Sequence, residues 1–147
     1  YKKFAHDFFV DLGLNDQKLR FKDHEKLAHY AKEACDVEYL FPMGWGEIYG
    51  NHNRTDYDLK RHQEFSGKSM EYLDPETNEK YIPYVIESSC GADRLTLAIL
   101  CDAYHEEELE DKTTREIMKF HPAIAPYKLA VLPLIKKYHQ EKAMGNI

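Results

Sequence analysis

Residues 81–100 read YIPYVIESSCGADRLTLAIL. Pro83 and Tyr84 lead into apolar Val85 and Ile86. Glu87, Ser88, Ser89 and Gly91 interrupt the pattern, and Leu95, Leu97, Ala98 and Leu100 follow Asp93 and Arg94 at helical spacing. The stretch predicts a strand, a tight turn and a helix. The turn gathers a carboxylate, two hydroxyls and a guanidinium within eight residues. Such a junction is where an α/β scaffold holds a ligand, because unpaired N–H groups and the helix dipole favour anions at the first helical turn beyond Gly91.

Each polar residue here has two readings. Arg94 suits a triphosphate, whose oxygens match the guanidinium fork, but it equally suits a local carboxylate. Glu87 ends an apolar strand and so needs a partner for its charge. A substrate ammonium would serve, and a structural Arg or Lys is the slightly favoured alternative. Glu47 presents the same choice one strand away, and two glutamates at one site also suit Mg2+, which takes hard oxygen ligands. Arg54 is a candidate for gripping a carboxylate, with Asp56 and Asp58 as the scaffold partners that could hold it instead. The histidines, among them His24, His29, His52 and His62, form no HxH or HExxH spacing. P-loop, GxGxxG and GxSxG motifs are absent, so nucleophilic catalysis by serine or cysteine has no support.

The chain of 147 residues is 43% hydrophobic. That is enough for one domain with a real core, or most of one with the start of another. A net charge of −6 argues against non-specific DNA coating, which needs a basic footprint. With 11 Tyr and 7 Phe, core and pocket should be rich in rings. Three widely spaced cysteines without metal spacing fit a reduced, cytoplasmic protein. No apolar run approaches the roughly 20 residues that span a bilayer. The sequence starts without Met and stops in mid-pattern, which leads us to expect a piece of something larger.

In chain order, residues 2–12 predict an amphipathic helix with Phe4, Phe8, Phe9 and Leu12 as a core-facing stripe and Gly13 as its stop. Residues 19–22 predict a strand and 24–33 a second helix. Residues 36–41 and 44–50 predict two antiparallel strands, the glycines of the second marking a bulge or a close approach. Residues 51–62 read as a polar loop leading into a short helix from Tyr57, capped by Thr55 or Asp56. A strand near 70–73, a turn at DPETNE (74–79) and a returning strand make the sheet mostly antiparallel. HEEELED (105–111) reads as a solvated helix end and 112–120 as a connector. Residues 128–132 read as a buried strand opening a second α/β unit. The domain expectation is therefore 1–120 and 121–147.

GWGEIYGNHNRTDYDLKRH and, further on, PYVIESSCGADRLTLAIL resemble the catalytic domain of dimeric-type glycyl-tRNA synthetases, class II aminoacyl-tRNA synthetases. That family reads much like GWGE-x-x-G-x-x-x-RTD-x-DL followed by PYVIEPS-x-G-x-DR. HPAIAPYKLAVLPL resembles the family's entry into its anticodon-binding domain, so the likeness covers nearly the whole chain. It implies an α+β (α/β) class II fold, a mostly antiparallel sheet flanked by helices, and ATP-dependent activation of glycine with Mg2+ followed by transfer to tRNA(Gly). By the family pattern, Arg94 and Gly91 face ATP, Arg94 holding its phosphates, and Glu47 faces ATP and its Mg2+. Glu87 and Ser89 meet the glycine ammonium, and Arg54 helps bind the amino acid. The resemblance also implies a homodimer for the full-length protein.

Two positions depart from the pattern: Ser88 stands where proline is usual and Ala92 where a larger aliphatic is common. The first two class II signatures are not found, and the expectation is that these 147 residues alone form glycyl-adenylate poorly. A non-catalytic interaction module that kept the fold is the alternative.

Overall fold

The computed structural model describes residues 1–132. They form an α+β fold of three helices and three antiparallel sheets. The main sheet has four strands in the order β1 (Leu19–Asp23), β2 (Glu33–Phe41), β3 (Gly44–Asn53) and β6 (Ile86–Cys90). Helices α1 (Lys2–Asp11) and α3 (Ala92–Ala103) pack on it. Helix α2 (Tyr57–Ser66) and the two-residue strands β4 (Tyr72–Leu73) and β5 (Lys80–Tyr81) fill the connection from β3 to β6. A hairpin of β7 (Tyr104–Glu108) and β8 (Thr114–Met118) follows α3.

The β2–β3 hairpin turns on Pro42 and Met43, and Phe41 faces Gly44 in the register. Strand β3 contains one irregularity: Val37 pairs with Tyr49 and Glu38 with Glu47, which leaves Ile48 as an extra residue. A bulge turns two successive side chains to one side. Ile48 is fully buried and Tyr49 packs against the same core. That core joins Phe9 and Ala5 of α1, Val37, Tyr39 and Phe41 of β2, and Ala98 of α3. The glycine expectation for β3 holds at Gly46, where a Cβ would lie 3.0 Å from the buried Phe41 ring.

Helix α1 ends in a Schellman motif. Leu14 N–H donates to Phe9 O (3.1 Å) and Gly13 N–H to Val10 O (2.8 Å), with Gly13 at φ +94°. Leu14 and Phe9 meet in the core, the apolar contact that accompanies this cap. The expected aromatic stripe is narrower than its spacing implied. Phe9 is buried, but Phe4 is 74% and Phe8 44% exposed, because the helix buries only Ala5 and Phe9.

Asp102 of α3 ties the layers together. Its Oδ1 accepts from Lys18 Nζ (2.7 Å) and Tyr39 Oη (2.8 Å), and its Oδ2 from the backbone N–H of Asn15 (2.7 Å). Burial works to raise the pKa of Asp102, but these donors outweigh it and hold the carboxyl below the usual aspartate value. Burial and the Asp102 charge push the Tyr39 hydroxyl far up.

Four expectations need correction. The helix expected over 24–33 is absent: 24–32 are a loop and Glu33 opens β2, because backbone bonds from His24 N–H to Ala34 O and from Lys32 N–H to Asn53 O draw the segment into the sheet, and tertiary pairing overrides the apolar spacing. Residues 105–111 and 112–120 are not a helix end and a connector but the β7–β8 hairpin. One of its acids is answered by cations from the returning segment: Glu107 meets Arg115 (2.7 Å) and Lys119 (3.0 Å). Glu87, Ser88 and Ser89 lie within β6 rather than in the turn after it, since pairing with β3 continues to Cys90. Residues 128–132 form no strand, having no partner strand among the described residues. The rest of the expected second unit, 133–147, lies outside them.

Two measurements test this fold. Gly13→Ala is expected to lower stability by about 2 kcal/mol or more, since φ is +94° and a Cβ would sit 2.4 Å from that of His121. Gly67→Ala, at φ +68° in open space, should cost only about 1 kcal/mol, and denaturant titration compares the two. Asp102→Asn should cost about 1–3 kcal/mol. Asp102 and Glu38 are both held below their ordinary values of 3.8 and 4.5. A depressed carboxylate contributes stability above its unfolded pKa, and that contribution is lost as pH falls through the folded one. The thermal midpoint should therefore be level from pH 7 to 5 and drop below about 4, less steeply in Asp102→Asn.

Candidate active site

With the bulge in place, the two faces of the main sheet separate by chemistry. One face packs on the helices. The other is polar: Arg20 and Lys22 of β1 stand opposite Glu38 and Asp36 of β2, and Asp36 opposite Gly50 of β3. On the far side Gly50 pairs with Ser89 and His52 with Glu87. Glu38 on β2 pairs with Glu47 on β3, so Glu47 shares this face.

Glu38 is buried, and its charge is answered by Arg20 (2.6 Å) and Lys22 (3.1 Å). Burial raises its pKa, the two cations outweigh that, and the carboxyl stays below the usual glutamate value. The Arg20 guanidinium also lies 4.1 Å from the Trp45 ring centre, a stacking that desolvation strengthens.

Glu87 is held from one side. Its Oε2 accepts from Arg54 Nη1 at 2.5 Å. Asp58 takes the remainder of the guanidinium, accepting from Nε at 2.6 Å and Nη2 at 3.2 Å, and the Tyr30 ring lies 4.2 Å beneath it. Asp58, and after it Glu87, hold Arg54 well above the ordinary arginine range, and Arg54 draws Asp58 below the ordinary aspartate value. The structural partner weighed for Glu87 is thus Arg54, and the scaffold acid weighed for Arg54 is Asp58. Asp56 pairs instead with Lys60 (2.8 Å). Thr55, at φ +57°, turns the chain from β3 into α2 and so brings Arg54 and Asp58 to one place.

Glu87 Oε1 has no hydrogen-bond partner among the described residues. Ser89, two residues along the same face, is exposed. Gly91 caps α3 and donates to Ile48 O (3.3 Å). Arg94, in the first turn of α3, donates through Nη1 to the backbone oxygen of Glu47 (2.9 Å) and is exposed. The fold therefore brings Glu47, Arg94, Gly91, Ser89 and Glu87 to one edge of the sheet, and Arg54 reaches that edge through Glu87.

Sequence spacing missed a second polar group on the same face. His24, Asp36 and His52 offer ligand atoms within 4.8 Å of one another. His24 continues β1 and His52 sits in β3, so no local motif joins them. The usable signal was the acid alternation of Asp36 and Glu38 in β2, which demands partners on both neighbouring strands.

No family model matches the chain. It is similar along most of its length to proteins named glycine–tRNA ligase. That of Geobacillus kaustophilus is 59% identical over 139 residues, 93% of this chain and 30% of the relative. That of Clostridium acetobutylicum is 58% identical over 146 residues, 98% of this chain and 31% of the relative. That of Staphylococcus haemolyticus is 56% identical over 144 residues. The chain spans about 30% of the length of these curated relatives.

Proposed function

The chain belongs to the glycyl-tRNA synthetase family over the length it shares with these relatives, and from that premise we propose that its polar sheet face takes part in the ATP-dependent activation of glycine. The observation that carries the proposal is the Glu87 carboxylate: Arg54 anchors one oxygen (2.5 Å) and the other is unpaired among the described residues. A fixed carboxylate with one free oxygen suits a primary ammonium. Ser89 adds a hydroxyl on the same face, and Arg54 acts on glycine by fixing Glu87.

Glycine offers no side chain to read, so a site must grip its charged ends and crowd out anything larger. Arg94 and the N–H groups after Gly91 bind the ATP phosphates, and Glu47 faces the nucleotide and its Mg2+. Glu47 fits Mg2+ as an exposed carboxylate, the hard oxygen ligand this ion takes, and the ion would neutralise phosphate charge. The residues then bind and orient: the glycine carboxylate is held for in-line attack on the α-phosphorus, with pyrophosphate leaving, and no covalent enzyme intermediate is required. The reading extends to a class II fold, to tRNA(Gly) as acceptor, to a cytoplasmic homodimer, and to 1–120 as catalytic and 121–147 as the start of the anticodon-binding domain.

Calorimetric titration tests this. Glycine and Mg-ATP should each give saturable heat, and Glu87→Ala should weaken glycine at least tenfold while changing Mg-ATP less than threefold. Equal loss of both removes the assignment of Glu87 to the ammonium. No heat from either ligand, with no glycine-dependent ATP–pyrophosphate exchange, favours an interaction module.

A further inference from the structure

The polar face carries a second constellation, and it does not depend on the glycine reading. We propose that His24, Asp36 and His52 form a site for a divalent transition-metal ion of the zinc type.

Three observations converge on it. The three side chains come from β2, β3 and the end of β1, and one ligand atom from each lies within 4.8 Å of the others. Asp36 meets His24 Nε2 through Oδ2 (2.6 Å), while its Oδ1 and the Nδ1 of His52 are buried without a hydrogen-bond partner among the described residues. Asp36 itself is 6% exposed. A buried carboxylate oxygen and a buried imidazole nitrogen rarely go unpaired in a folded protein. Finally, residue 50 is glycine: a Cβ there would lie 3.0 Å from His52 Cε1 and 3.5 Å from Asp36 Oδ1. The missing side chain leaves these groups the space in which they meet.

Two imidazoles and a carboxylate are a borderline donor set, suited to zinc and its neighbours rather than to Mg2+ or Ca2+, which take oxygen ligands. One carboxylate and two neutral imidazoles leave a bound dication with a net positive charge. Three protein ligands also leave a coordination position open. Glu47 Oε1 lies 3.5 Å from the same point above Gly50, an anion that favours a cation there. Cys35 belongs to the opposite face, one residue from Asp36, so the site contains no thiolate.

The test uses the untagged 147-residue chain carrying Cys90→Ser, which removes an exposed thiol. Zn2+ titrated by calorimetry should bind one ion per chain. His52→Ala and His24→Ala should each weaken binding at least thirtyfold, and Co2+ should give visible absorption bands that either substitution abolishes. Zn2+ should also raise the thermal midpoint of the parent chain but not of His52→Ala, because an ion that binds only the folded state stabilises it. If His52→Ala does not fold, as judged by circular dichroism, His52→Gln gives the same reading. Unchanged Zn2+ affinity in a folded His52 variant, or no stoichiometric binding by the parent chain, overturns the site.

Discussion

A single unpaired residue decides what this sheet can do. Strict alternation along β3 would turn Ile48 onto the same face as Glu87 and Ser89, and the strand would mix apolar and charged groups on both sides. The bulge at Ile48 lets Ile48 and Tyr49 both enter the core. Glu47 remains on the polar side beyond it. One face can then be covered by α1 and α3 while the other collects carboxylates, imidazoles and guanidinium groups. A ladder that loses one regular pair gains two segregated surfaces, and the residues proposed for glycine and for a metal ion both stand on the second.

Much of this was legible from residue patterns. The β2–β3 hairpin followed from two alternating runs joined at Pro42 and Met43. The helix after Gly91 followed from the spacing of Leu95, Ala98 and Leu100. What could not be read was whatever depends on distant pairing. Residues 24–33 carry a helical apolar pattern, yet bonds to Ala34 and Asn53 hold 24–32 as a loop and Glu33 starts β2. The acidic run at 105–111 reads as solvent-loving, and its basic partners Arg115 and Lys119 become visible as partners only once β8 folds back.

The candidate site divides along the same line. The long motifs made Glu47, Arg54, Glu87, Ser89 and Arg94 stand out, and the fold places them on β3, on β6 and on the segments that directly follow these two strands. Asp58 was weighed as a partner for Arg54 and an arginine as a partner for Glu87, but that one guanidinium answers both carboxylates is a matter of geometry rather than spacing. Nor could the long motifs join His24 to His52, which lie 28 positions apart and meet only across β2. Local chemistry is written in neighbouring residues, whereas a shared face exists only after the strands have chosen their register.

The Asp102 tie also sets a timetable. Its donors sit at Asn15, Lys18 and Tyr39, separated from it by 87, 84 and 63 residues. Closing a loop of that span costs roughly 2 kcal/mol more chain entropy than closing one of ten residues. The β2–β3 hairpin needs no such closure. During synthesis from the N-terminus, this buried link between helix and sheet cannot form until α3 has emerged. Until then Lys18 and the backbone N–H of Asn15 lack this carboxylate, and the hydroxyl of Tyr39, buried in the finished fold, must keep its hydrogen bond with water.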